Sequence, residues 1–206
     1  MISYKIIATG SNGNAILYDY VLVDCGIPFS KLKPYVDQIK IVLLTHEHKD
    51  HFNLKSIHEL SKTAKIICCE WLSKKLGDIP HTVLKTNIWY SLGSVKIASF
   101  ILYHDVNNCG WRIDFGNNKV FHATDTTTLQ GIKAKGYDLY GIEFNYDEST
   151  IYDVIDDKIK NNEFAYELGS IESHLSFQQA ESFLKENARE DSKVLKLHMS
   201  DKYKGE

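Results

Sequence analysis

Four side chains suited to binding a metal ion, His46, His48, Asp50 and His51, fall within six residues of this chain. They stand directly after Lys40–Leu44, a short apolar run of the kind that forms a buried strand, and before a helical pattern that begins near Leu54. A loop between a strand and a helix can aim several short side chains at one point. Imidazole and carboxylate donors in such a loop suit Zn²⁺ or a related divalent ion. The spacing lets two ions divide the set, His46 and His48 on one, Asp50 and His51 on the other. A solvated loop that happens to be rich in histidine is the bland alternative, and four ligands in H-x-H-x-D-H order argue against it.

The same pattern of an apolar run followed by a ligand recurs along the chain. His104-Asp105 follows Val95–Leu102, Asp125 follows Lys119–Ala123, and His198 follows Lys193–Leu197. Site residues of layered α/β proteins gather where strands end. A carboxylate shared between two cations, here Asp125, would reduce their repulsion and hold them at the ~3.5–4 Å separation of two-metal hydrolysis.

The remaining elements read in sequence. Strands are expected over Tyr4–Ala8, Ala15–Tyr18 and Tyr20–Asp24, with the turn Gly10-Ser11-Asn12-Gly13-Asn14 between the first two. Helices are expected over Pro28–Ile39, Leu54–Lys62 and Glu70–Leu76, and a strand over Lys65–Cys69. Gly110–Phe115 and Lys119–Ala123 form a hairpin through Gly116-Asn117-Asn118, and Tyr137–Phe144 is a further strand. Ser176 opens a late helix with the capping box Ser176-Phe177-Gln178-Gln179. No repeat or linker interrupts this order, so residues 1–206 read as one α/β domain.

Composition removes several classes. With 43% hydrophobic and 25% charged residues the chain is of ordinary globular make-up, which excludes disordered and coiled-coil classes. The formal charge of −3 excludes a generally polybasic nucleic-acid binder. Residues 31–75 carry nine lysines against five acids, a bias that favours a phosphate-bearing ligand but equally describes a solvated helix face. No apolar run approaches the ~18 residues of a membrane span, and no secretory signal is visible at the N-terminus. Cys25, Cys68, Cys69 and Cys109 show no C-x-x-C spacing, and neighbouring Cys68 and Cys69 point to opposite faces of a strand. Buried, reduced thiols in a cytoplasmic protein without membrane association are the expectation.

Residue by residue, the chain resembles the metallo-β-lactamase-fold hydrolase superfamily. Asp24, in Leu22-Val23-Asp24-Cys25-Gly26, matches that family's first motif, His46, His48, Asp50 and His51 the second, and His104, Asp125 and His198 the third, fourth and fifth. The resemblance implies a four-layer αββα sandwich with a binuclear site at one edge of two packed sheets. It implies two divalent cations, Zn²⁺ first and Mn²⁺ next, with Asp24 supporting the ligands rather than touching substrate. Gly10-Ser11-Asn12-Gly13-Asn14, Tyr103-His104-Asp105-Val106 and Ala123-Thr124-Asp125-Thr126 are similar to the YycJ/WalJ branch, which is associated with exonuclease-like activity. His174-Leu175-Ser176 and Leu197-His198-Met199-Ser200 resemble the paired late histidine motifs of RNase Z-type phosphodiesterases. By that likeness His174 assists at the scissile phosphate and His198 binds metal.

The expected chemistry follows. A water shared by two cations loses a proton near neutral pH and becomes the nucleophile. Asp50 would be both ligand and orienting acceptor, and His174 would donate to the leaving oxygen. The substrate is expected to be nucleic acid or a nucleotide. A cyclic-nucleotide phosphodiesterase of the compact phage type and a carbonyl-directed hydrolase (thioester, lactone or β-lactam) are the alternatives. Only 72 residues separate Asp125 from His198, too few for the large domain inserted there in many RNA-processing relatives, and no Gly/Pro-rich arm of the kind that holds tRNA is visible. A homodimer is expected by analogy. His122 is expected to be packed, His58 and His81 solvated, and Trp111, Phe144, Tyr146 and Phe177 to serve the core before any base stacking.

Overall fold

The computed structural model describes residues 2–200. Apolar alternation organises the first half. β1 (Tyr4–Ala8), β2 (Ala15–Tyr18) and β3 (Val21–Val23) run antiparallel, and β4 (Ile41–Leu43), β5 (Lys65–Cys68) and β6 (His81–Val83) continue the sheet in parallel, in the order β1-β2-β3-β4-β5-β6. Parallel neighbours need crossovers. Short helices supply them: α1 (Phe29–Leu32), α2 (Leu54–Leu60) and α3 (Glu70–Leu76). The second half builds a sheet from β7 (Tyr90–Leu92), β8 (Val95–Leu102), β9 (Asn108–Asp114), β10 (Lys119–Ala123), β11 (Leu139–Glu143) and β12 (Lys193–Leu197), in the order β12-β11-β10-β9-β8-β7. Helices α4 (Ile151–Lys160), α5 (Glu167–Ser173) and α6 (Phe177–Asn187) lie between β11 and β12 in sequence.

Three apolar layers hold this together, and period-two alternation assigns each side chain to its layer. Ile16, Tyr18, Val21, Val23 and Leu43 face Ile97, Cys109, Trp111, Ile113 and Val120 between the sheets. Their strand neighbours Leu17, Leu22, Val42 and Ile66 turn outward onto Ile57, Leu60, Leu72 and Leu76 of α2 and α3. Phe100, Phe121, Tyr140 and Ile142 turn outward from the second sheet onto Ala180 and Phe183 of α6. The result is the expected αββα sandwich. Cys68 and Cys69 divide between the outer and central layers as alternation requires, and all four thiols are buried and free.

A buried polar contact crosses the central layer. Tyr18 Oη lies 3.0 Å from His122 Nδ1, and both side chains are buried. Burial pushes the His122 imidazole down to about 3, so it stays neutral and packed.

The differences from the sequence expectations are local. Helix 28–39 is cut to α1 plus a 3₁₀ turn, Lys33–Tyr35, because Pro34 has no N–H to donate and sits in the first turn of the tighter helix. Strands β6 and β7 have only three residues each, too short for alternation to declare them. α4 and α5 carried no sequence expectation at all. His81 is not solvated: its Nε2 meets Ser73 Oγ at 2.8 Å and its Nδ1 donates to the Ile79 carbonyl at 2.7 Å. The capping box at Ser176 is formed as expected.

The loop after β4 is braced by two segments from the first sheet. Asn14 N donates to the Asp50 carbonyl at 2.6 Å and Cys25 N to the His51 carbonyl at 3.0 Å. Gly26 passes so close that an added Cβ would lie 1.7 Å from the Asp50 carbonyl oxygen. Gly26→Ala must therefore displace either the loop or the Asp24–Gly26 segment. Overpacking of this kind costs about 1–3 kcal/mol or more. A thermal melt of the variant should show a clearly lower midpoint, and an unchanged midpoint would contradict this close approach.

Candidate metal centre

The site is made of residues that follow strand ends. Asp24 follows β3, His46, His48, Asp50 and His51 follow β4, Asp125 follows β10 and His198 follows β12. Asp24, Asp125 and His198 each adopt positive φ, at 60°, 59° and 50°. A left-handed non-glycine residue is uncommon, and such strain concentrates at functional sites. Here it turns the side chain back over the edge of the sheets.

Two groups of ligand atoms result. The first is His46, His48 and His104. His104 Nε2 lies 3.2 Å from His48 Nδ1, and the buried His46 Nε2 has no hydrogen-bond partner in the protein. The second is Asp50, His51, Asp125 and His198. His51 Nε2 lies 3.0 Å from Asp125 Oδ2 and 3.4 Å from Asp50 Oδ2, and His198 Nε2 lies 3.2 Å from Asp50 Oδ2 and 3.3 Å from Asp125 Oδ1. Four donors placed tetrahedrally at Zn–N and Zn–O distances of about 2.0–2.1 Å are themselves about 3.3 Å apart. The second group has that spacing, and the orphaned His46 nitrogen gives the first group a buried lone pair in need of a partner. The rings of His46 and His51 are 4.2 Å apart between centroids, so the two groups adjoin. The residues present fit a pair of divalent cations.

The opposite nitrogen of each ring is held from behind. Asp24, 1% exposed, accepts from His51 Nδ1 at 2.6 Å and from Thr45 N and Oγ1 at 2.9 Å. Thr45 Oγ1 in turn lies 2.9 Å from His46 Nδ1. His104 Nδ1 donates to the Ser173 carbonyl at the end of α5, at 2.9 Å. These contacts fix the tautomers so that Nε2 of His46, His51 and His104 is the free donor. Asp24 therefore stands behind the candidate ligand nitrogens.

Glu143 escaped the sequence reading. It ends β11, is fully buried, and accepts from His174 Nδ1 at 2.6 Å and from Thr126 N at 3.0 Å. The same carboxylate faces His198 Nδ1 at 3.5 Å. A lone carboxylate inside the apolar stretch Tyr140-Gly141-Ile142-Glu143-Phe144 was the signal that could have found it. Glu143 also completes a third group with Asp125, His174 and His198. Asn14, likewise missed, places Nδ2 2.8 Å from His51 Nε2 and 3.2 Å from Asp50 Oδ2.

Charge within the protein follows these contacts. Burial alone would lower His198, but Asp125, Asp50 and Glu143 outweigh it and lift the imidazole to about 10. His51 is raised against the same burial effect by Asp125 and Asp24. Burial would raise Asp125, and His198 and His51 hold it well below the usual carboxylate range. Protons on these imidazoles thus balance the buried carboxylates, and cations can take over that balance by displacing them. His174 is raised by Glu143 against burial, which favours the protonated ring.

The side chains of His48, Asp50 and His174 remain 34%, 21% and 18% exposed, so the centre opens on that side. A cavity of about 230 Å³ there is lined by Ser11, Tyr166, Ser170, His174 and His198. A larger one, about 920 Å³, lies among Phe29, Leu54, Leu76 and Ile79 and touches none of these groups, so its size carries no argument about chemistry. Trp111, Phe144 and Tyr146 are buried, as expected for core aromatics.

Removing the Asp24 charge should loosen the centre without destroying the sandwich. Asp24→Asn keeps the shape but weakens the acceptor for His51 and Thr45. Loss of such a backing partner lowers metal affinity roughly 10–100-fold. Competition between the protein and a calibrated chelator measures this directly. Equal affinity in variant and parent would remove Asp24 from the site.

Comparison with known proteins agrees with this geometry. No curated protein sequence matches the chain. Among solved structures, the metallo-beta-lactamase fold protein YhfI from Bacillus subtilis is similar with a TM-score of 0.74 and 20% identity, covering 96% of this chain and 86% of that one. The short form of human tRNase Z has a TM-score of 0.71 and 16% identity, covering 98% and 94%. A diphosphatase from the PhnP family has a TM-score of 0.67 and 13% identity, covering 97% and 87%. At these identities the likeness shows the fold alone. The family model described as the Beta-lactamase superfamily domain matches residues 19–199, and the chain belongs to that superfamily, whose fold carries metal-dependent hydrolases.

Proposed function

We propose that this protein is a two-metal phosphodiesterase acting on nucleotides or nucleic acid. The observation that carries the reading is His174. It stands beside the four-donor group, its ring stacked on that of His198 at 5.1 Å between centroids, yet its Nδ1 is committed to Glu143 at 2.6 Å. Its other nitrogen is left for a substrate in the cavity that it lines. Hydrolysis of a phosphodiester needs a proton at the departing ester oxygen, and a cationic imidazole at that place supplies one.

Two divalent cations would be held by His46, His48 and His104 and by Asp50, His51, Asp125 and His198, and when bound they would supply Lewis acidity and an acidified water. Zn²⁺ suits this thiol-free donor set, with Mn²⁺ the next choice. The side chains do the rest. Asp50 accepts a hydrogen bond from the attacking water and aims it at phosphorus. As the new O–P bond forms, the ester P–O bond breaks, and the leaving oxygen takes the His174 proton. Glu143 stabilises the imidazolium beforehand and orients the neutral ring afterwards.

Several features bear on the substrate. The motif resemblance to the YycJ/WalJ branch supports a nuclease, and tRNase Z and a diphosphatase are among the proteins of similar fold. The cavity of about 230 Å³ favours a nucleotide-sized group, which keeps the cyclic-nucleotide version in play. No helix among the described residues is long and apolar enough to cross a membrane. The buried free thiols suit a reducing compartment, and cytoplasmic residence, without a membrane partner, belongs to the same reading, as does a homodimer.

Metal-loaded protein should cleave phosphodiesters among DNA, RNA and cyclic mononucleotides, and a chelator should abolish the cleavage. His174→Ala should lower kcat on a phosphodiester by about 10²–10⁴-fold. Thioester or lactone hydrolysis by the same variant should be spared, because a carbonyl reaction does not need that proton. Inactivity of the loaded parent on every phosphodiester tested would end this reading. Retained carbonyl hydrolysis alone would install the alternative.

A further inference from the structure

The helical insertion between β11 and α6 carries exposed apolar side chains beside the cavity. Phe164 is 86% exposed, Tyr166 54% and Leu168 51%. Tyr166 caps the N-terminal end of α5 and lines the same cavity as His174, His198, Ser11 and Ser170. Exposure of this degree excludes a core role for the ring. The Lys158 ammonium sits 3.7 Å from the Tyr166 ring centroid, and Lys158 is held there by Glu167 Oε1 at 2.6 Å. A tethered cation over one face of the ring restrains the ring, which leaves the opposite face for stacking with less entropy to lose on binding.

The insertion is also tied to the chemistry. α5 ends at Ser173, whose carbonyl accepts from His104, and His174 follows immediately. Tyr166 is thus placed by the same short helix that positions both histidines. The hydroxyl-bearing Ser11 and Ser170 line the same cavity, donors and acceptors suited to a sugar.

We propose that Tyr166 is a specificity residue that stacks on the base of a nucleotide whose phosphoryl group faces His174. The substrate is then an unpaired nucleotide, free or at a single-stranded end, because a base held in a duplex has no open face for the ring. This assignment rests on the phosphodiesterase reading above and deepens it.

The experiment compares thymidine 5′-(p-nitrophenyl phosphate) with methyl p-nitrophenyl phosphate, which share a leaving group and differ in the nucleoside. Metal-loaded parent, Tyr166→Ala and Tyr166→Phe proteins are used, each first shown to melt like the parent. Base stacking on an aromatic side chain corresponds to roughly 5–150-fold in binding. Tyr166→Ala should raise KM for the thymidine ester by that factor, with kcat within about twofold, and leave the methyl ester within about twofold. Tyr166→Phe should retain the parent KM. Calorimetry with thymidine 5′-monophosphate should show the same loss of affinity in Tyr166→Ala alone. An unchanged KM, or an equal rise for both esters, would overturn the stacking assignment and leave the phosphodiesterase reading standing. A change of oligomeric state in Tyr166→Ala on sizing, with KM unchanged, would overturn it in favour of a contact between copies of the chain. Failure of the parent to cleave the thymidine ester while it cleaves other phosphodiesters would overturn this proposal alone, and inactivity on every phosphodiester would remove the phosphodiesterase reading and this proposal with it.

Discussion

Two buried carboxylates, Asp24 and Glu143, decide which nitrogen of the surrounding imidazoles faces the centre. Asp24 accepts a hydrogen bond from His51 Nδ1 and, through Thr45, bears on His46. Glu143 accepts one from His174 Nδ1 and faces Nδ1 of His198. Neither carboxylate is solvated, so each depends on these donors to offset the cost of burial. The dependence is mutual. The rings would be free to rotate or change tautomer without the acceptors, and the acceptors would be unpaired buried charges without the rings. The ligand geometry is therefore a property of the packed sheets as much as of the ligands themselves.

The backbone contributes by turning sharply at the strand ends. Asp24, Asp125 and His198 all sit in the left-handed region, which is uncommon for non-glycine residues though asparagine, aspartate and histidine visit it most. At His198 the carbonyl accepts from Asn145 Nδ2 at 3.0 Å while the N–H donates to Thr9 Oγ1 at 2.7 Å. Those contacts over-determine the strained conformation. They also connect the last strand's end to the first sheet through Thr9, so the site is closed by residues from both ends of the chain.

The parts of this arrangement that were legible in the sequence share one property: each depends on local order. Lys119–Ala123 and Lys193–Leu197 are apolar runs stopped by a polar residue, and Ser176 with Gln179 is a cap whose two halves lie within one turn. His46, His48, Asp50 and His51 are neighbours in the chain, so their convergence needs only one loop. The partners of Glu143 and Asn14 were not legible, although a lone carboxylate in an apolar stretch marks Glu143, because those contacts exist only after β11 and the Gly10–Asn14 turn are brought to the site from elsewhere. α4, by contrast, carries a local signal: Ile151, Val154, Ile155 and Ile159 recur at helical spacing, although Ile159 faces solvent. Pro34 announced its own break in the helix, and the long apolar-looking stretch 28–39 masked it.

The hydrogen bond from His104 to the Ser173 carbonyl joins two parts of the fold that are otherwise far apart in the chain. His104 follows β8, whereas Ser173 ends the helical segment formed by α4 and α5. That segment's last carbonyl is also the anchor of a candidate ligand ring. Exchanging the segment would transplant more than a binding preference. It would change what holds the His104 ring, and with it how that ring would meet a bound ion. Selectivity and reactivity are here mechanically yoked, so neither can drift far without the other.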